Sequence, residues 1–128
     1  MSSPIVFVSR NRIKEGMLAA FQEHYRGSLP LTEAGKPGTH VQLAYLNEET
    51  AEVNIIRVFP SAEALDLQLQ GADERSRTTY QFIEPVSIEI LGTPNPYALE
   101  MMKKVSGSGI AVSITPSFIG GFIRPKPG

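Results

Sequence analysis

Residues 39–59, THVQLAYLNEETAEVNIIRVF, decide the fold. Two runs rich in β-branched and aromatic side chains, Thr39 to Asn47 and Ala51 to Phe59, flank the polar connection Asn47-Glu48-Glu49-Thr50. A link that short demands antiparallel neighbours, so the stretch reads as a β-hairpin. Side chains alternate across a strand, which sets Val41, Leu43 and Tyr45 of the first arm against His40, Gln42, Ala44 and Leu46. In the second arm Val53, Ile55, Arg57 and Phe59 share one face, with Asn54, Ile56 and Val58 on the other.

Upstream, residues 5–13, IVFVSRNRI, read as a further strand with Ile5, Phe7, Ser9, Asn11 and Ile13 on one face. Val6, Val8, Arg10 and Arg12 take the other, so both faces begin apolar. After the turn Lys14-Glu15-Gly16, the apolar positions Met17, Leu18, Phe21, Tyr25 and Leu29 have the spacing of an amphipathic helix from about Glu15 to Gly27. Pro30 is expected to kink or break it near Ser28 to Leu31, and Gly35-Lys36-Pro37-Gly38 to end it. Downstream of the hairpin, Pro60-Ser61 supplies an N-cap for a second helix with Glu63 in its first turn and Leu65 and Leu69 on one face. Gly71 and a charged turn, Asp73-Glu74-Arg75-Ser76-Arg77, lead to Tyr80, Phe82 and a fourth strand over 84–92, EPVSIEILG.

The order β-α-β-β-α-β defines an α+β, ferredoxin-like domain, an antiparallel sheet with both helices on one face. The other face would expose Val6, Val8 and the mixed residues of the central strands, an apolar patch that monomers seldom tolerate. A homodimer through the sheet face is therefore expected. Beyond this core (4–93) the extension 94–128 reads as a helix, Asn95 to Val105 with Asn95 as cap, and then strand-like runs Ile110 to Thr115 and Phe118 to Ile123. It has no core of its own and must pack on the main domain or on a partner, so 1–128 reads as a single domain.

Composition narrows the chemistry. The 128 residues include no cysteine, and twelve Lys and Arg stand against thirteen Asp and Glu for a net charge of −1. That argues against thiolate sites, nucleic acid and anionic membrane as partners. Only His24 and His40 are present, too few for His-rich metal chemistry, so no metal and no cofactor are expected. Met1-Ser2-Ser3-Pro4 carries no basic region and Ile5 to Val8 is too short for an export signal, which points to a cytoplasmic protein. There is neither a G-x-S-x-G elbow nor a conspicuous carboxylate pair, and Gly120-Gly121 lacks the pattern of a phosphate loop.

Three local patterns resemble the antibiotic-biosynthesis-monooxygenase-like group of dimeric α/β barrels. They are Arg12-Ile13-Lys14-Glu15-Gly16 before a helix with Phe21, then Val58-Phe59-Pro60-Ser61-Ala62-Glu63-Ala64-Leu65, and finally Glu84 to Gly92 closing the sheet. The resemblance covers residues 4–93. It implies a pocket for a small organic ligand between helices and sheet, with activities ranging from cofactor-independent oxygenation to haem degradation or none. Where haem-degrading members carry an asparagine, a tryptophan and a proximal histidine, this chain has Ser9, Gln68 and Thr78. The resemblance therefore implies no haem bound in that manner.

The expected ligand wall comprises Phe7, Ser9, Phe21, Tyr25, Leu65, Gln68 and Tyr80. Asn11 and His24 are the candidate catalytic groups, Asn11 as a hydrogen-bonding amide and His24 as a base or a hydrogen-bond donor. The plainer readings are a boundary position for His24 and core packing for the tyrosines. Arg10, Arg12 and Arg57 are read either as cross-strand ion-pair residues or as binders of an anionic ligand. The functional expectation is a small-molecule-binding protein resembling cofactor-independent monooxygenases; the alternative is a non-catalytic binding protein whose tail mediates dimer assembly.

Overall fold

β1 (Ile5–Ile13) forms the middle of the sheet because both of its edges are bonded. The computed structural model describes residues 3–71 and 77–124. β1 pairs antiparallel with β3 (Glu52–Phe59) on one side and β4 (Ile83–Leu91) on the other. β2 (Val41–Asn47) borders β3 as the first arm of the hairpin, and β5 (Ala111–Thr115) adds to β4 in parallel. The order is β2-β3-β1-β4-β5, the expected ferredoxin-like arrangement with one strand appended. The hairpin turn is held by Asn47, whose Oδ1 accepts from the amides of Glu49 at 3.0 Å and Thr50 at 3.3 Å. That local bonding explains why an asparagine opens the turn.

α1 (Leu18–Gly35) departs from expectation by running through Pro30. Proline forfeits one backbone bond, yet the turn beyond it closes normally, with the Lys36 amide donating to Thr32 O at 2.8 Å. Among the residues of α1 Phe21 alone is fully buried, so the helix is only thinly anchored to the sheet. α2 (Ala62–Leu69) starts as read, with Ser61 Oγ accepting from the Ala64 amide at 3.2 Å. It buries Ala64, Leu65, Gln68 and Leu69, half of its length.

The extension contributes α3 (Pro96–Gly107) and β5. Asn95 precedes α3 but does not cap it through its side chain; Nδ2 instead donates to Asp66 Oδ2 on α2 at 2.9 Å. Pro96 supplies the helix start, since its missing N–H is one that the first turn leaves unbonded anyway. Ala98 and Met102 of α3 join Ile5, Phe7, Phe59, Leu65, Ile88 and Ile90 in one buried cluster, so the extension completes the core of the main sheet. Gly92, at φ +117°, makes the turn out of β4, where an added Cβ would come within 2.9 Å of the Ile5 side chain. Phe118 to Ile123 form no strand; Pro116 ends the pairing of β5, and Phe118, Ile119 and Phe122 stand exposed. Most of the charged turn over 73–77 lies outside the described residues, as its residues 73–76 are not among them. Among the described residues no helix is long and apolar enough to cross a membrane.

Among the described residues no helix packs on the opposite sheet face. Register places Val6 beside Val58 and Leu91, and Val8 beside Ile56 and Glu89. Val41 and Leu43 continue these two rows on β2. Arg10 sits on this face and reaches Glu89 at 3.6 Å, the cross-strand ion-pair reading of that arginine.

A cavity between two cores

Along the helix-facing side of β1 the side chains run Ile5, Phe7, Ser9, Asn11, Ile13. Ile5 and Phe7 belong to the cluster completed by α2 and α3. Ile13 belongs to a second cluster with Phe21, Val53, Ile55 and Ile83 beneath α1. The two polar residues fall between the clusters, and there a cavity of about 400 Å³ opens. The core is divided where β1 stops being apolar.

The sheet forms the floor through Phe7, Ser9, Asn11, Ile55, Arg57 and Ile88. α2 supplies Leu65, Gln68 and Leu69, and the stretch leading into β4 supplies Thr79, Tyr80 and Ile83. α3 forms the remaining wall with Met101, Met102, Lys104 and Val105, followed by Ser108 and Ile110. The walls are mainly apolar with a few placed polar groups, the usual character of small-molecule pockets.

Asn11 is only 4% exposed and its orientation is fixed by its neighbours. Nδ2 donates to Ser9 Oγ at 2.9 Å and approaches the carbonyls of Ser9 and Val53 at 3.3 and 3.4 Å. Carbonyl oxygens only accept, so the amino group must face them. Oδ1 is thereby turned the other way, and it takes no hydrogen bond among the described residues. Gln68, 9% exposed, accepts through Oε1 from Thr39 Oγ1 at 2.6 Å, which ties α2 to the loop before β2. Arg57 donates from Nε to Gln42 Oε1 on β2 at 3.2 Å.

Six of the nine residues singled out in the sequence line this cavity: Phe7, Ser9, Asn11, Leu65, Gln68 and Tyr80. Phe21 and Tyr25 lie instead in and against the α1 cluster, their rings 6.0 Å apart. The Tyr25 hydroxyl is buried with no hydrogen-bond partner among the described residues. His24 stands one side chain back, packed on the Phe82 ring at 5.1 Å with Nε2 3.2 Å from Thr79 Oγ1. It meets the cavity only through that threonine. Met101, Met102 and Val105 were legible as a helical stripe but not as a pocket wall, because periodicity does not say which sheet surface a helix covers.

Among the described residues no three His, Asp or Glu side chains gather in a way that suits a metal. No histidine is among the cavity-lining residues, so the donor set does not fit a haem with an axial imidazole.

No protein-family model matches the chain, and no curated protein matches it either. Solved structures do. MupZ from Pseudomonas fluorescens matches at TM-score 0.70 and 17% identity over 98% of this chain and 92% of its own. SnoaB from Streptomyces nogalater, described as a cofactor-independent oxygenase, matches at TM-score 0.59 and 14% identity over 73% of this chain and 96% of its own. A putative antibiotic biosynthesis monooxygenase from Bacteroides thetaiotaomicron matches at 0.54 and 17%, over 63% and 80%. At these identities the likeness is one of fold. The chain has the ferredoxin-like fold of antibiotic-biosynthesis-monooxygenase-like proteins, as its sequence patterns implied. The MupZ match spans so much of the chain that it takes in the extension with α3 and β5.

Proposed function

We propose that the protein binds a small, largely apolar molecule in the cavity between its two core clusters and oxygenates it without a cofactor. The observation that carries the reading is the buried amide of Asn11, fixed by Ser9 and Val53 in a cavity of about 400 Å³ with mainly apolar walls. A fold that simply packed itself would place an aliphatic side chain there. Likeness of fold to SnoaB supports the choice of chemistry.

In this reading Asn11 Oδ1 accepts a hydrogen bond from the substrate and orients it. Thr79 Oγ1 takes the substrate proton while passing its own to His24 Nε2; the resulting carbanion adds to dioxygen, and the peroxide takes that proton back and loses water, its O–O bond breaking to leave a carbonyl on the substrate carbon. His24 is thus a base acting through Thr79, and Phe7, Leu65 and Tyr80 wall the substrate. A non-catalytic binding protein is the second reading, favoured by the placement of His24 behind Thr79. A compound that binds in the cavity with no oxygen uptake above the protein-free rate would select it, whereas uptake lost in His24→Ala supports the first reading.

The working unit is a homodimer through the uncovered sheet face, in a cytoplasmic setting. Val6, Val8, Ile56 and Val58 are the centre of that interface. Binding tests the site itself. 2-Naphthamide, followed by its fluorescence, is expected to bind the parent protein and to be lost in Val105→Trp, which fills the cavity from α3. Equal binding by the variant would place the ligand elsewhere.

A further inference from the structure

Few side chains of this protein offer an oxidant a soft target. The chain contains no cysteine and no tryptophan, and only four methionines. Met1 lies outside the described residues. Of the other three, Met101 and Met102 both line the cavity from α3, and Met17 is not among the lining residues. Met102 is 4% exposed in the buried cluster with Phe7 and Leu65, and Met101 packs half-buried against that cluster. Met17, the residue before α1, is 38% exposed. Attack from solvent therefore favours Met17, whereas attack from within the cavity favours the α3 pair.

Packing does not call for sulfur at these two positions. Leucine has a nearly equal helix propensity, and leucine and methionine exchange in cores at little cost. What methionine adds is a polarisable thioether that accepts an oxygen atom. Both thioethers border the same cavity as Asn11, where the reaction proposed above passes through a peroxide.

Resting on the reading that this cavity oxygenates a small molecule, we propose that Met101 and Met102 are a sulfoxidation site for apolar hydroperoxides formed or bound there. A thioether sulfur attacks the outer oxygen of a hydroperoxide that has not lost water. The O–O bond breaks and the sulfur keeps that oxygen, while the departing alkoxide takes the hydroperoxide's proton and leaves as an alcohol. The hydroperoxide gains two electrons and the thioether loses two, so no further reagent enters. The sulfoxide sets a strong dipole in an apolar wall, which weakens the hold on an apolar ligand and closes the site. Methionine sulfoxide is reducible, so the closure is reversible.

The test compares cumene hydroperoxide, an apolar probe, with hydrogen peroxide, which meets exposed sulfur first. Trypsin separates the readouts, because Met17 falls in the peptide 15–26 and the α3 pair in 78–103. Mass spectrometry after partial oxidation then gives the ratio of α3 sulfoxide to Met17 sulfoxide. Hydrogen peroxide is expected to oxidise Met17 faster. Cumene hydroperoxide should raise the ratio about tenfold, a small part of what holding two reactants together can supply, with cumyl alcohol as co-product. 2-Naphthamide should suppress the α3 signal and leave Met17 unchanged. Protein so oxidised should lose naphthamide affinity and regain it on treatment with methionine sulfoxide reductases. The same ratio with both oxidants, an α3 signal indifferent to naphthamide, or undiminished affinity after α3 oxidation would overturn the proposal. Naphthamide binding to the untreated protein separates the two failures: where it binds, the small-molecule cavity stands, and where it does not, both readings fall.

Discussion

Asn11 concentrates the argument into one side chain. An amide 4% exposed in a row of apolar residues is a departure from core packing, and its three donor contacts fix which end faces the cavity. Asn11→Leu should reduce probe binding about tenfold while changing unfolding free energy by only about 1 kcal/mol, since one bonded polar group is exchanged for apolar contact. Urea denaturation alongside fluorescence titration checks both halves; unchanged affinity would remove Asn11 from the site. Ser9 and Asn11 were legible from alternation alone, because period two fixes the face of a strand residue. His24 was not, because its reach depends on how α1 is rotated and where Thr79 lies. Arg57 was placed on the correct face by the same parity, but nothing in the sequence says that α3 covers the floor beside it.

Elements carry their own tests. Glu63 stands in the first turn of α2, where its own backbone amide, and then Asn95 and Ser61, hydrogen-bond the carboxylate and hold its pKa below the ordinary 4.5. A depressed carboxylate stabilises the folded state above that ordinary value and loses the contribution as pH falls through its lowered one. Glu63→Gln should therefore be less stable than the parent at pH 6, with the difference closing below pH 4.5 and vanishing in stronger acid. A difference that grows towards low pH would contradict the assignment. Pro30 is the converse case, a residue that the sequence marks as a breaker and the helix absorbs. Pro30→Ala restores an N–H to α1 and should raise stability by about 1–3 kcal/mol, measured by thermal unfolding. A loss of stability would mean that the proline conformation is needed there. The sequence signal for a break was real, but a proline costs one bond and a ring contact, and continuous helix on both sides outweighs them. The reverse happened after Pro116, where Phe118 to Ile123 had the composition of a strand and form none.

At the scale of the molecule, one sheet serves two surfaces. Its covered face holds two core clusters with a cavity between them, and its open face presents rows of aliphatic residues. The extension binds these together by closing the cavity with α3 and widening the sheet with β5. If the open face joins two copies, light scattering should give twice the 14.0 kDa of one chain, and Val8→Glu should return it to a single chain. A parent protein that scatters as one chain would contradict the dimer. The four-stranded order was readable because the hairpin link and the helix periodicities are local. The appended parallel strand was not, because a parallel partner is chosen by the crossover of α3 and leaves no short-range mark. The central claim is that ligand enters between the two clusters. Backbone amide shifts on titrating 2-naphthamide into the uniformly ¹⁵N-labelled protein test it most directly. Shifts centred on Ser9, Asn11, Gln68, Met102 and Val105 are the expected result; shifts confined to Val6, Val8, Ile56 and Val58 on the open face would contradict it.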